Sequence, residues 1–223
     1  MLDLVLVAVL VGLVPTYQLW RSLKRRGAPK ALKLRSYLRT ITMALLLIVP
    51  VLAVWIYRGR PWAALGLGLP LAGKIGLGVA VIGLAAMAPG MRGPMKAADS
   101  RVQAILDLLP ATRTELAGFV IRNLLIGFSW EVLYRGYLLW ALSLSLGTPL
   151  AVLVAAAAYG VAHGYKDAKQ FTGSLASALA FTLAYVGTHS LWWLMVIHAG
   201  LPSLMLLAKP QAGPVASAQP KPA

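Results

Sequence analysis

What most constrains this chain is a recurrence of apolar stretches, seven in all, each near or above the length of a bilayer crossing and separated by more polar links. A spanning helix needs about 20 apolar residues, within a range of roughly 17–25. Residues 2–20, 41–57, 74–89, 116–146, 149–163, 171–186 and 191–208 meet or approach that requirement. Composition agrees: 59% of the 223 residues are hydrophobic and only 12% are charged, roughly half the charge of an ordinary soluble domain. A soluble enzyme is thereby disfavoured. The expectation is an all-α, polytopic membrane bundle of about seven transmembrane helices, forming one domain over residues 1–208. The tail over 209–223, made largely of Pro, Ala, Gly, Ser, Gln and Lys, cannot bury a core and is expected to be disordered.

The few charges are lopsided, with 21 Lys and Arg against 6 Asp and Glu, a net charge of +15. In a chain this apolar the excess points to membrane topology rather than to nucleic acid. The dense cluster from Arg21 to Arg39 follows the first span, and the positive-inside rule assigns it to the cytoplasm. Alternating sides from there puts 16 of the 21 basic residues inside and 3 outside, with Arg122 and Arg135 within the fourth span. The N-terminus is then outside and the C-terminus inside. The first span is not read as a secretory signal, because Asp3 rather than basic residues precedes its apolar run. Residues 97–109 are more polar and read as a short amphipathic helix on the cytoplasmic surface, ended by Pro110. Gly173, Ala176, Ser177, Ala180 and Ala184 give the sixth span a small-residue face suited to close helix contact.

Cysteine is absent, so a disulfide framework and a thiolate metal site are both excluded. Ionisable residues within spans are costly and mark candidate function. Four stand out: Glu131, Arg135, His163 and His198. Glu131 and Arg135 are four apart, share a helix face and can pair, either as part of a site or as an ion pair that orders the bundle. Depth arithmetic at about 1.5 Å per residue puts Glu131 roughly 22 Å and His163 roughly 21 Å from the turn at Gly147-Thr148-Pro149. The two therefore lie level on neighbouring antiparallel helices. The same arithmetic leaves His198 roughly 12 Å from the outer side, about 10 Å short of the others. Arg122 lies further inward and can snorkel to the inner surface. His189, before Trp192 and Trp193, reads as an interfacial residue.

The stretch Phe128-Ser129-Trp130-Glu131-Val132-Leu133-Tyr134-Arg135-Gly136-Tyr137 resembles the first motif of the CPBP family of intramembrane proteases, also called the Abi or CAAX-protease family. Its pattern is Glu-Glu-x-x-x-Arg, commonly followed by Gly. Tyr159-x-x-x-His163 is similar to the second motif, an aromatic followed by His, and the span holding His198 is similar to the third, His-x-x-x-Asn. Leu65-Gly66-Leu67 is similar to a short link these proteins often carry earlier. The resemblance covers residues 112–207 well. Two positions depart from it: Trp130 stands where the first Glu is expected, and Pro202 where the Asn is expected. Ser203, one residue on, is a candidate substitute donor.

The resemblance implies an all-helical membrane endopeptidase acting on prenylated or membrane-associated peptides, with membrane lipid as its surroundings and the prokaryotic cytoplasmic membrane as its location. In the implied mechanism the first Glu activates water, while the His residues and the Asn bind that water or the peptide oxyanion. Carried onto this chain, the catalytic set is Glu131, Arg135, His163 and His198. A divalent metal such as zinc, held by His163 and His198, is one implied option and a metal-free site the other. A catalytically impaired relative, acting as a membrane scaffold or bacteriocin-immunity-type protein, is the alternative suggested by Trp130 and Pro202. A small transporter subunit using the same polar residues is a third.

Overall fold

The computed structural model describes residues 1–24, 32–92, 94–95, 109–165 and 167–210. Seven helices account for nearly all of them: α1 (Leu2–Lys24), α2 (Lys33–Tyr57), α3 (Leu71–Met91), α4 (Arg113–Leu146), α5 (Thr148–Ala162), α6 (Ala168–Thr188) and α7 (Trp192–Leu207). Five are long and apolar enough to cross a membrane, whereas α5 and α7 are apolar but shorter. Large apolar side chains cover the outside, among them Leu4, Leu46, Ile82, Leu124 and Leu153. In water that surface would be prohibitive, and in hydrocarbon it is the expected one. The chain is an integral membrane helical bundle.

The expected spans and the observed helices agree one for one, the third included. The expected surface helix over 97–109 falls outside the described residues except for Leu109, and so does the tail from 211 onward. Lys209–Pro210 forms a two-residue strand, β2, parallel to β1 at Pro94–Met95.

Helix length fixes how far along the bundle the polar residues lie. At about 1.5 Å per residue, the 15 residues of α5 reach roughly 22 Å, less than the roughly 30 Å hydrocarbon core. His163, which caps α5, therefore lies roughly 22 Å along the bundle from the turn at Gly147. Helix α4 has the opposite proportion, with 34 residues. Its middle, Glu131–Leu138, widens into a π-helical turn whose eight residues are all buried. Such turns are rare and recur at functional sites.

Helix α4 is the hub: α2 and α7 pack along its first half, and α5 folds back along its last turns. Helices α1 and α6 cover α5, and α3 covers α7. One end of the bundle is tied by Asp3, which accepts from both terminal nitrogens of Arg60 at 2.8 and 2.6 Å and from the Tyr137 hydroxyl at 2.7 Å. Arg60 also stacks over Trp140, 4.4 Å from the ring centre. Asp3 and Arg60 thus share an end of the bundle, as alternation of the spans requires.

Between α2 and α3 the link does not stay at the surface. A single 3-10 turn, Trp62–Leu65, buries Leu65 completely, and Gly66 follows at φ 81°. The Gly66 carbonyl accepts from the Leu191 amide at 2.8 Å, and the Leu67 carbonyl accepts from the Trp192 indole at 3.0 Å. The link thus lies over the start of α7, leaving Ser190 and Leu191 fully buried. Gly136 of α4 makes room for it: a Cβ at that position would sit 2.6 Å from the Leu65 carbonyl oxygen, a backbone atom with little freedom to move. Gly136→Ala is therefore expected to destabilise the bundle by about 1–3 kcal/mol, read as a lowered thermal unfolding midpoint in detergent.

The small-residue face expected to mediate contact on α6 turns outward instead. Gly173, Ala176, Ser177, Ala180 and Ala184 are all exposed. Close approach to α5 is made by Gly160, whose missing Cβ leaves space for Leu175, while Ala178, Thr182 and Tyr185 form the buried side of α6. Small size permits contact on any face, and here the buried face is the one that carries Ala178, Thr182 and Tyr185.

Candidate active site

Glu131 sits at the start of the π-helical turn and is almost wholly buried, with 1% of its surface exposed. A carboxylate there needs hydrogen-bonding or charged partners on both oxygens. Arg135, also buried, pairs with Oε2 through Nη1. Oε1 accepts from the Tyr159 hydroxyl at 3.1 Å and from His198 Nδ1 at 2.8 Å. An ionised carboxylate only accepts, so the His198 Nδ1 carries the hydrogen, and in the neutral ring Nε2 keeps its lone pair. Tyr159 braces the group from α5: its hydroxyl lies 3.2 Å from the same Nδ1, and the Arg135 guanidinium stacks on its ring at 4.3 Å.

His163 lies one turn beyond Tyr159, with ring centres 5.0 Å apart. Its imidazole makes no hydrogen bond to the described residues and is exposed into a cavity of about 550 Å³. His198 lines the same cavity, and the two imidazole centres are 5.6 Å apart. Glu131, Arg135, Tyr159 and Trp130 complete this end of the cavity.

All four residues singled out in the sequence thus meet in one place. The level placement of Glu131 and His163 agrees with the depth arithmetic. The shortfall assigned to His198 does not hold, because α7 starts deep. Counting from Ser190 assumes a surface turn, and the link over Leu191 sinks that turn into the protein. Trp130 does line the cavity, its ring meeting Tyr134 edge-on at 5.8 Å, but it does not displace Glu131 from it.

Ser203 is not brought to the cluster. Its hydroxyl donates to the Ala199 carbonyl at 2.7 Å and accepts from Asn123 at 3.3 Å. Pro202, at the position expected for Asn, lines the cavity, and so does Asn123 from the facing helix α4. Sequence reasoning misses both Asn123 and the hydroxyl contact of Tyr159; an Asn inside an apolar span is the available signal for the first. His189 is remote from the cluster: it is exposed and ends α6 in the left-handed conformation at φ 47°.

A catalytic zinc takes about three protein ligands and an open position. The donors here are two imidazoles and a carboxylate whose oxygens are already engaged by Arg135, His198 and Tyr159. Among the described residues no group of three or more His, Asp or Glu is placed to hold a metal ion. As arranged, the donor set does not fit a three-ligand zinc.

Residues 112–203 match the family described as type II CAAX prenyl endopeptidase Rce1-like. Comparisons with curated proteins and with solved structures give no match. The matched segment holds Glu131, Arg135, Tyr159, His163 and His198, and over this segment the chain is similar to the Rce1-like, CAAX-protease type of membrane protein.

Proposed function

We propose that the chain is an intramembrane endopeptidase for prenylated or membrane-held peptides, with a Glu131–His198 dyad in place of a pair of glutamates. The observation that carries this reading is the 2.8 Å contact between Glu131 Oε1 and His198 Nδ1 at the wall of a cavity shared with His163. A carboxylate on Nδ1 fixes the tautomer and orients the ring, and it stabilises the imidazolium that forms when Nε2 takes a proton. A water in the cavity beside the rings attacks the scissile carbonyl while His198 Nε2 removes its proton. His163, as a neutral ring with one N–H, donates to the oxyanion. The imidazolium of His198 then returns the proton to the leaving amine, and the C–N bond breaks. Arg135 and Tyr159 hold Glu131 in place. In this scheme Glu131 need not touch water, which suits a carboxylate with both oxygens already partnered.

A second reading has its own support. Trp130 occupies the expected first-glutamate position and cannot accept a proton, so the chain could instead bind such peptides without cutting them. One assay separates the two. Purified protein in lipid nanodiscs is given a prenylated peptide, alongside His163→Ala and Trp130→Glu. The endopeptidase reading expects native cleavage that His163→Ala reduces by about 10²-fold or more. Equal cleavage by both sinks it. Peptide binding without native cleavage, with turnover gained by Trp130→Glu, establishes the second reading.

A further inference from the structure

The two members of the dyad stand on different helices, and one short segment touches both of those helices. Glu131 lies on α4, five residues before Gly136, whose missing Cβ admits the Leu65 carbonyl. His198 lies on α7, seven residues after Leu191, whose amide donates to the Gly66 carbonyl at 2.8 Å. The Trp192 indole donates to the Leu67 carbonyl at 3.0 Å. Three consecutive carbonyls of the link thus bear on α4 and α7. At about 1.5 Å per residue, Glu131 and His198 lie roughly 8 and 10 Å along their helices from those contacts. A shift of the link therefore moves one helix against the other, and with it the 2.8 Å contact from Nδ1 to Oε1. What ties the link down is Asp3. Its Oδ1 accepts from Arg60 Nη1 at 2.8 Å and its Oδ2 from Nη2 at 2.6 Å, a fork that fixes direction as well as distance. Oδ1 also accepts at 2.7 Å from the hydroxyl of Tyr137, the neighbour of Gly136 in the π-helical turn. Asp3 and Arg60 lie more than 50 residues before the segment that holds the dyad, and the proposed chemistry uses neither.

We infer that Asp3 is a positioning residue for the dyad: by joining Arg60 of the link to Tyr137 of the π-helical turn, it sets the register of Glu131 on α4 against His198 on α7. Three features favour this over a joint that only adds stability. The ion pair is partly exposed, 16% for the Arg60 side chain and 30% for Asp3, and exposed pairs add little to stability. One carboxylate meets both the link and α4, so it fixes the two relative to each other rather than either alone. Arg60 is also seated on Trp140 of α4, 4.4 Å from the ring centre, so the same helix holds the fork from a second side. The consequence for turnover rests on the endopeptidase reading; the geometry of the His198 ring does not.

The test reads the His198 ring itself, so a chain that binds without cutting still answers it. Nitrogen-15 NMR of the full protein in lipid nanodiscs, with labelled histidine, separates a ring nitrogen that carries hydrogen from one that does not. The signals missing in His198→Asn assign the ring. The native protein is expected to show hydrogen on His198 Nδ1. Asp3→Ala is expected to lose that preference, the two ring nitrogens moving toward a common averaged shift. Asp3→Glu keeps the carboxylate and is expected to recover most of it. On a prenylated peptide, Asp3→Ala is expected to lower kcat by about tenfold or more with KM within about twofold, since a misplacement of about 1 Å can cost on the order of 10²-fold. Phe119→Ala controls for stability. It opens a cavity in a buried part of α4, twelve residues before Glu131, and is expected to lower the unfolding midpoint while the His198 signals stay native. If Asp3→Ala does not fold, Tyr137→Phe removes one of the three hydrogen bonds and is expected to move the signals the same way by less. Native His198 signals in whichever of these two variants folds overturn the inference, as does Phe119→Ala moving them as far. Native kcat in Asp3→Ala overturns it as well. A native protein that does not cleave at all defeats the endopeptidase reading alone and leaves the ring signals to decide this one.

Discussion

Glu131→Ala, made alone, is expected to lower the stability of the bundle by about 3–5 kcal/mol, the usual cost of leaving one member of a buried ion pair without its partner. Arg135 is 2% exposed, and its Nε already lacks a hydrogen bond, so the guanidinium loses its one carboxylate partner. Its stacking on Tyr159 survives the substitution but does not replace a full negative charge. Arg135→Ala is expected to cost as much, by stranding the carboxylate. The informative variant is the pair Glu131→Leu with Arg135→Met. It removes both charges and keeps apolar volume among Val132, Leu133, Tyr134 and Leu138, all buried. Thermal unfolding in detergent should show it well above either single variant, because the penalty belongs to the unpaired charge rather than to the missing contact. A double variant as unstable as the singles would mean that the pair is itself a main source of stability. The pair's retention then needs no functional reason. Recovery in the double variant leaves function as the reason for holding two charges there.

Much of this architecture is legible in the sequence because lipid imposes simple rules. Apolar length reads out the spans, and each of the seven has its helix. Two residues placed at equal counts from one tight turn must lie level, which is why Glu131 and His163 meet as expected. The same counting fails for His198 because the chain fixes distance along a helix but not where that helix begins in the membrane. Here the beginning is set by residues more than a hundred positions away, in the link that seals Leu191 beneath Gly66. The direction of Glu131 is equally hidden. A straight α-helix puts Trp130 and Glu131 about 100° apart, and the pattern Glu-Glu-x-x-x-Arg leaves Glu131 facing Arg135 alone. In the structure one oxygen faces Arg135 and the other faces His198 and Tyr159. Nothing in the local sequence announces the π-helical turn. Charge misleads in a smaller way. Arg21 counts toward the cytoplasmic cluster, and its position in the cavity emerges only when α1 is packed on α5.

If His198 is the base, its two nitrogens have different duties, and substitutions can separate them. His198→Asn can still offer an N–H toward Glu131 but has no basic nitrogen for the water. It is expected to lower kcat/KM by about 10²–10⁴-fold, the range that positioned general-base catalysis supplies, with an unfolding midpoint near the native one. Glu131→Gln tests the other nitrogen. An amide can donate toward Nδ1, which favours the tautomer with hydrogen on Nε2 and so removes the lone pair that faces the cavity. Activity is expected to fall by a similar factor, even though His198 itself is intact. Tyr159→Phe removes one donor from Oε1 and leaves the Nδ1 contact, so its effect should be much smaller, on the order of tenfold, as for one hydrogen bond to a charged group. The ordering matters more than the individual values. A base at His198 requires that Asn at 198 and Gln at 131 be comparably damaging. If Glu131→Gln is far worse than His198→Asn, the carboxylate itself meets the water, and His198 is only its support. If neither substitution affects cleavage, the chemistry lies elsewhere in the cavity and the dyad is a structural joint between α4 and α7.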